Sequence, residues 1–358
     1  ATFVADRVGM FMASATASAP VGCTATTIVR VDAFTTIPVA GRPAGTRRDL
    51  AARIGMAFVA TDDGPWAATR TGWRDLRIGA VGTLVNRNLA AVVVRADEPF
   101  FGVNGDESFL VRVRVPDFSS IELLSTPIPA AGDRTVRAMA VPASAAESGD
   151  LGPIAVATKD GALLLDGAPD TLAARVIGPV FDGEVDIAVG TTEPVDRGAV
   201  WVVDNNQDIR NLARATGAPF AAGAPVMLTP TAVPTALALD DRGASPRLVL
   251  CAQDTGVQIF DLGIDWSVRT TLPAPIATLS SVSCLDVAVG GEGDYWVATA
   301  TSLLRLGPDG TIRYRSTAGD GLGAAALVNV ATAWTAATRE VWVMTTTGDV
   351  FVVASDGP

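Results

Sequence analysis

Apolar and polar residues alternate along this chain in short runs, separated by turns rich in glycine and proline. The clearest example spans residues 284–316. Residues 285–289 read as a short apolar strand, Gly290-Gly-Glu-Gly293 as a turn, and Tyr295-Trp-Val-Ala-Thr299 as a second strand rich in β-formers. Residues 302–306 alternate, and Gly307-Pro-Asp-Gly310 is a strong turn, because proline presets φ and glycine accepts φ > 0. Residues 311–315 alternate again, as a half-buried strand does. Four short strands make one sheet. Such a sheet cannot bury both faces alone, so neighbouring copies must stack on it.

The second strand is the easiest to follow. It reads Phe58-Val-Ala-Thr61, Phe101-Gly-Val-Asn104, Ala155-Val-Ala-Thr158, Trp201-Val-Val-Asp204, Val249-Leu-Cys-Ala252, Trp296-Val-Ala-Thr299 and Trp342-Val-Met-Thr345. The runs end at 61, 104, 158, 204, 252, 299 and 345, so the spacings are 43, 54, 46, 48, 47 and 46. A steady period of ~40 to 50 residues is that of a propeller blade. First strands repeat in phase: Val185-Asp-Ile-Ala-Val-Gly190 and Leu285-Asp-Val-Ala-Val-Gly290 match, with Thr235-Ala-Leu-Ala-Leu239 between them. The pattern predicts an all-β, seven-bladed β-propeller with an N-terminal extension, and leaves six or eight blades open because the first copy is poorly formed.

The expected division is residues 1–45 as an N-terminal arm and ring-closing strand, and residues 46–358 as the propeller. The last blade has only three strands before the chain ends, and a ring must close to avoid an open edge. Residues 27–34 are expected to supply the missing outer strand; the alternative is a separate N-terminal hairpin or an arm packing on a partner, and residues 1–20 read as such an arm. Residues 143–152, rich in small residues, read as a long loop on one rim.

Composition narrows the function. The chain of 358 residues is 49% hydrophobic and has 35 glycines and 22 prolines, which suits short strands and turns rather than long helices. A net charge of −11 argues against a nucleic-acid partner, since phosphate binding needs a basic patch. No apolar run is long enough for a membrane span, and the first residues lack the order of a signal peptide. The expectation is a soluble chain, virion- or assembly-associated or extracellular. There is no histidine, which removes the commonest general base and metal ligand near neutral pH. Of Cys23, Cys251 and Cys284, no two are close enough for a metal knuckle. Cys251 and Cys284 fall on strands of successive blades and read as buried small hydrophobes, and three cysteines do not suggest a disulfide framework.

At Trp296-Val-Ala-Thr-Ala-Thr-Ser-Leu-Leu-Arg-Leu306, then Pro308-Asp-Gly-Thr-Ile-Arg-Tyr-Arg315 and Asp320-Gly-Leu322, the chain resembles the propeller repeats in sensor regions of two-component regulators and related bacterial seven-bladed propellers. The resemblance implies the fold and marks no catalytic residue. With no kinase domain or transmembrane helix in this sequence, the signalling role does not carry over.

Candidate chemistry is sparse. Asp204-Asn-Asn-Gln-Asp208 has oxygen ligands at alternate positions but lacks the glycine and distal glutamate of a calcium loop, so no metal and no cofactor are expected. Without histidine the serines have no triad partner. Asp186 and Asp286 each open an expected inner strand. A ring of such aspartates would line a central channel, or would cap turns by accepting backbone N–H groups. Trp201, Trp296 and Trp342 share one repeat column and read as core. Trp66, Trp73 and Trp266 lie off that column and are the aromatic candidates for a binding surface.

These observations lead to a non-catalytic β-propeller that acts as a protein–protein interaction or structural module. Its expected partners are other protein subunits, in an assembly such as a virion tail or surface apparatus. The alternative is a carbohydrate-binding or carboxylate-dependent carbohydrate-active propeller with a glycan partner. A ligand sensor without its signalling domain is a third reading.

Overall fold

A computed structural model describes residues 10–18, 24–32, 34–43, 45–77, 84–105, 108–114, 124–127, 133–148, 151–159, 161–168, 172–176, 186–190, 199–203, 208–212, 226–227, 234–253, 255–264, 272–334 and 338–356. Among these residues there are seven four-stranded antiparallel sheets, and a separate two-stranded one. Blades 1 to 7 have their first strands at Arg47–Arg53, Asn88–Arg95, Val136–Ala140, Asp186–Gly190, Pro234–Asp240, Cys284–Val289 and Leu327–Trp334. Each first strand touches the next, and the last touches the first, so the sheets form a closed ring: a β-propeller. Six blades have an outer strand of three or more residues. Blade 4 is thinner, with only Val226–Met227 in that place.

The core lies between blades rather than within them. Seven clusters of buried apolar side chains fill the seams, one cluster to each pair of neighbours among the described residues. Successive residues of a strand point to opposite faces, so each second strand serves two seams. In Met56–Thr61 every residue is buried: Ala57 and Val59 pack toward blade 7, while Phe58 and Ala60 pack toward blade 2. Double burial is why this column shows through the sequence as an unbroken apolar run. Trp201, Trp296 and Trp342 lie in it and are all but fully buried.

The threonine that ends the column has its own task. Thr61, Thr158 and Thr299 Oγ1 donate to the carbonyls of Gly64, Gly161 and Ser302 at 2.7, 2.9 and 2.8 Å, which clasps the turn into the third strand. In blade 2 the ladder places Val103, not Asn104, in this column, because a register shift lies between Leu89 and Ala91 and pairs Ala91 with Gly102. Asn104 instead reaches blade 3, where its amide donates to Val136 O at 3.0 Å and accepts from Val136 N at 2.8 Å. Thr299→Val should destabilise the chain by about 1–2 kcal/mol, since a buried clasp is lost without a change of volume. Urea denaturation checks this, and Thr299→Ser should recover most of the loss.

A second repeated device sits five residues before the column ends. Glu98, Asp294 and Glu340 hold Arg112, Arg305 and Arg70 respectively. Glu340 is nearly fully buried and satisfied on several sides. It accepts from Arg70 at 2.9 Å, from the Trp342 indole at 3.2 Å and, across the closing seam, from Gly55 N at 2.6 Å.

Three expectations need correction. The outer strand of blade 7 is Thr35–Pro38, paired with Val350–Asp356, and not residues 27–34. Residues of that stretch lie in Thr24–Asp32, which pairs with Met10–Ser18 in a nine-residue register outside the ring. Pro38 has no N–H to give and suits an outer edge strand. Within residues 143–152 the chain forms a helix, Ala143–Ser148, rather than a loop. Its small side chains lose little entropy there. Finally, Cys251 and Cys284 are joined by a disulfide across the seam between blades 5 and 6, with Cα atoms 5.2 Å apart. Cys23 lies outside the described residues. No described helix is long and apolar enough to cross a membrane.

Candidate functional site

The first strands surround a central cavity of about 900 Å3. Near the start of each described first strand except that of blade 4, the ladder shifts by one residue; pairing resumes at Asp49, Ala91, Ala138, Ala236, Asp286 and Asn329. Asp186 opens the strand of blade 4 in the corresponding place, opposite Val203. A bulge leaves N–H groups without ladder partners. The three aspartates of this ring accept backbone N–H groups just past these positions. Asp49 accepts from Leu50 N and from Val92 N of blade 2, both at 2.8 Å. Asp286 accepts from Val287 N at 2.8 Å and from Val330 N of blade 7 at 2.7 Å. Asp186 accepts from Leu237 N of blade 5 at 2.6 Å. Each carboxylate therefore bridges its own blade to the next.

All three face the cavity. They are half-buried, enclosed by the ring but open to the space at its centre. Burial pushes the Asp49 carboxyl up to about 7 and that of Asp186 up to about 6, against the pull of the backbone N–H bonds. Asp286 is raised well above the usual carboxylate range by burial, and the charges of Asp186 and Asp49 add to the rise. Among the described residues, no arginine or lysine is ion-paired with any of them. Arg48 and Arg137 stand exposed on the cavity lining near the start of the first strands, Arg48 next to Asp49 in the chain.

A short helix borders the other end of the cavity. The Ala143–Ser148 helix follows the first strand of blade 3 and touches the first strands of blades 2 and 5. Ser144 donates to Asp241 of blade 5 through its backbone N–H at 2.8 Å and its hydroxyl at 2.6 Å. Buried Arg95 of blade 2 donates to the carbonyls of Gly152 and Gly167, fixing the segment after the helix. Trp334, at the end of the first strand of blade 7, lines the cavity, with Arg242 of blade 5 stacked 5.4 Å from its ring centre. The cavity is thus bordered by the helix and Trp334 where the first strands end, and lined by three carboxylates near where they begin.

Of the residues singled out in the sequence, Asp186 and Asp286 meet in this cavity. Trp66 and Trp73 do not line it. Both are half-buried in blade 1: Arg77 stacks on Trp66 at 4.4 Å, and the Trp73 indole donates to Gly41 O at 3.0 Å. Trp266 lies outside the described residues, as do positions 204–207 of the calcium-like run. No described group of three or more acidic, cysteine or histidine side chains is arranged to hold a metal ion. The sequence reading missed Asp49. It was not singled out, although Asp49-Leu-Ala-Ala52 carries the same acid-then-apolar pattern as Asp186-Ile-Ala-Val189.

No protein-family model matches this chain, and no curated protein matches it by sequence. Solved structures do match in fold. The extracellular domain of the putative one-component system BT4673 from B. thetaiotaomicron superposes with a TM-score of 0.55 at 12% identity, over 90% of this chain. A second structure of BT4673, described as a putative hybrid two-component system, gives 0.56 at 13% identity. This chain spans 39% of the BT4673 chain. YCF48 bound to D1 peptide gives 0.57 at 11% identity, covering 90% of this chain and 94% of that one. The fold is therefore a β-propeller similar to those of the BT4673 extracellular domain and YCF48, as the repeats at residues 296–322 implied.

Proposed function

We propose that this chain is a non-catalytic β-propeller that binds other proteins. The observation that carries this reading is the use to which the cavity carboxylates are put. Asp49 and Asp286 each accept two backbone N–H groups, one from each of two blades, and Asp186 accepts one from the next blade. That is a seam-holding role, not the arrangement of a free acid and base around a scissile bond. Protein binding is further supported by YCF48, a propeller of nearly the same extent, whose structure holds the D1 peptide.

The finer reading is a subunit of a larger assembly, such as a virion tail or surface apparatus. The pair Met10–Ser18 and Thr24–Asp32 supports it. This two-stranded sheet lies outside a ring already closed by Thr35–Pro38. A lone hairpin is at best marginal in water, which makes it a natural docking arm. Light scattering on protein from its natural source, as the full chain and as a chain beginning at residue 35, tests this. The full chain is expected in particles of several chains and the shortened one as a single chain. A single-chain mass for both would overturn the assembly reading. A glycan screen addresses the carbohydrate alternative, which has less support because Trp66 and Trp73 do not share a cavity with Asp186 and Asp286.

A further inference from the structure

The aspartate clasps are unevenly distributed. Asp49, Asp186 and Asp286 bridge the seams between blades 1 and 2, 4 and 5, and 6 and 7. Asn104 bridges blades 2 and 3, and Glu340 bridges blades 7 and 1. In blades 3 and 5 the clasp position holds Ala138 and Ala236, neither of which has an acceptor to offer the next blade, and of these two seams the one between blades 5 and 6 carries a covalent link. The disulfide lies at this seam. Cys251 pairs with Ala236 itself across the ladder of blade 5, and Cys284 opens the first strand of blade 6, two residues before Asp286. Thr235 Oγ1 donates to Cys284 O at 2.9 Å across the same gap. Both cysteines are fully buried in the seam cluster. Their Cα spacing of 5.2 Å lies within the range a disulfide spans.

We propose that Cys251–Cys284 is a redox lock that takes the place of the missing carboxylate clasp and secures the cavity wall between blades 5 and 6. Gln253, Leu285 and Asp286, which follow the two cysteines in sequence, line that wall. The bond forms by thiol–disulfide exchange. The two thiols give up two protons and two electrons to a disulfide oxidant such as oxidised glutathione; its S–S bond breaks as the new one forms, and it leaves as two thiols. Reduction is the reverse and requires a thiolate to reach one of the sulfurs. With both side chains at 0% exposure, that attack must wait until the seam opens. The lock therefore belongs to a chain that folds where an oxidant of this class is supplied, and it resists reductant for as long as the ring stays closed.

The test begins with the full chain, unfolded in N-ethylmaleimide without reductant and mapped by peptide mass. Cys251 and Cys284 should take label only after reduction. Label on both without reduction overturns the lock. Next, the rate at which a thiol reductant releases the two thiols is compared for folded and urea-unfolded protein. At least a ten-fold slower release from the folded chain is expected, and equal rates overturn the shielding. Amide exchange is then read in reduced wild type and in the double variant Cys251→Ala/Cys284→Ala; the reduced wild type serves alone should the variant fail to fold. Exchange should rise about ten-fold in residues 247–252 and 284–289, and stay unchanged in residues 47–61 of blade 1. A uniform rise around the ring, or none, removes the local role.

Discussion

Trp342→Ala is expected to destabilise the chain by about 3–5 kcal/mol, the range for truncating a large buried aromatic side chain. Trp342 is fully buried at the seam where the last blade meets the first, in one cluster with Leu50, Ala57 and Val59 of blade 1. Its removal opens a cavity at the joint that closes the ring. It also removes an indole N–H from Glu340, a carboxylate exposed by only 2%. Two further variants separate these effects. Trp342→Phe keeps most of the packing and should cost about 1–2 kcal/mol through the lost hydrogen bond. Glu340→Ala removes the acceptor shared by Gly55 N–H, the Arg70 guanidinium and the indole, and should cost about 1–3 kcal/mol, since Arg70 is a third exposed and keeps access to water. The residues touch, so the double variant should fall short of the sum. Urea denaturation with a shared slope compares the four variants with wild type. A loss below about 1 kcal/mol for Trp342→Ala would mean that the closing seam contributes little to the cooperative fold.

The channel aspartates predict a pH dependence opposite to that of salt-bridged carboxylates. Asp49 and Asp186 are raised to about 7 and about 6, and Asp286 is raised as well. An unfolded aspartate titrates near ~3.9. Between that value and the folded values, the folded chain binds more protons than the unfolded one. The contribution of these groups to stability is therefore fully present at the acid end and is lost as pH rises through about 6 and 7. Because the carboxylates open onto the cavity, screening reduces the effect; about 2–4 kcal/mol in total between pH 4 and 8 is a fair scale. The check compares wild type with Asp49→Asn/Asp186→Asn/Asp286→Asn across that range. The triple variant loses one acceptor at each site, and so should be less stable than wild type at pH 4, by an amount that shrinks as pH rises. Its pH profile should lack the decline that wild type shows. Parallel profiles for the two proteins would show that the ring does not titrate in this range.

Much of this architecture is legible in the chain itself, and the gaps have physical causes. The second strands could be followed because they are buried on both faces, and a doubly buried strand writes an unbroken apolar run into the sequence. Their terminal threonines recur because the hydroxyl closes a turn, a local interaction that depends on residues three apart. First strands were legible where an aspartate precedes the apolar run, as at Asp186 and Asp286. Asp49 was missed because its strand, Arg47–Arg53, carries two arginines ahead of it and one at its end, which hides the alternation. The one-residue error at Asn104 has a similar source. A bulge changes which residue faces which seam without changing composition, so only the ladder shows it.

The amino-acid sequence by itself determined the all-β class, the blade period, the tryptophan core column and the placing of Asp186 and Asp286 on inner strands. These rest on local propensity and on a burial pattern that repeats with every blade. Tertiary structure alone decided the rest. The strand Thr35–Pro38 closes the ring because it is the segment that lies beside Val350–Asp356. Asp49 joins the carboxylate ring because blade 1 returns to meet blade 7. Cys251 and Cys284, 33 residues apart, bond because two blades bring them together. Each of these depends on contacts between segments far apart in the chain, and a single sequence carries no periodic signal for a contact that is made only once.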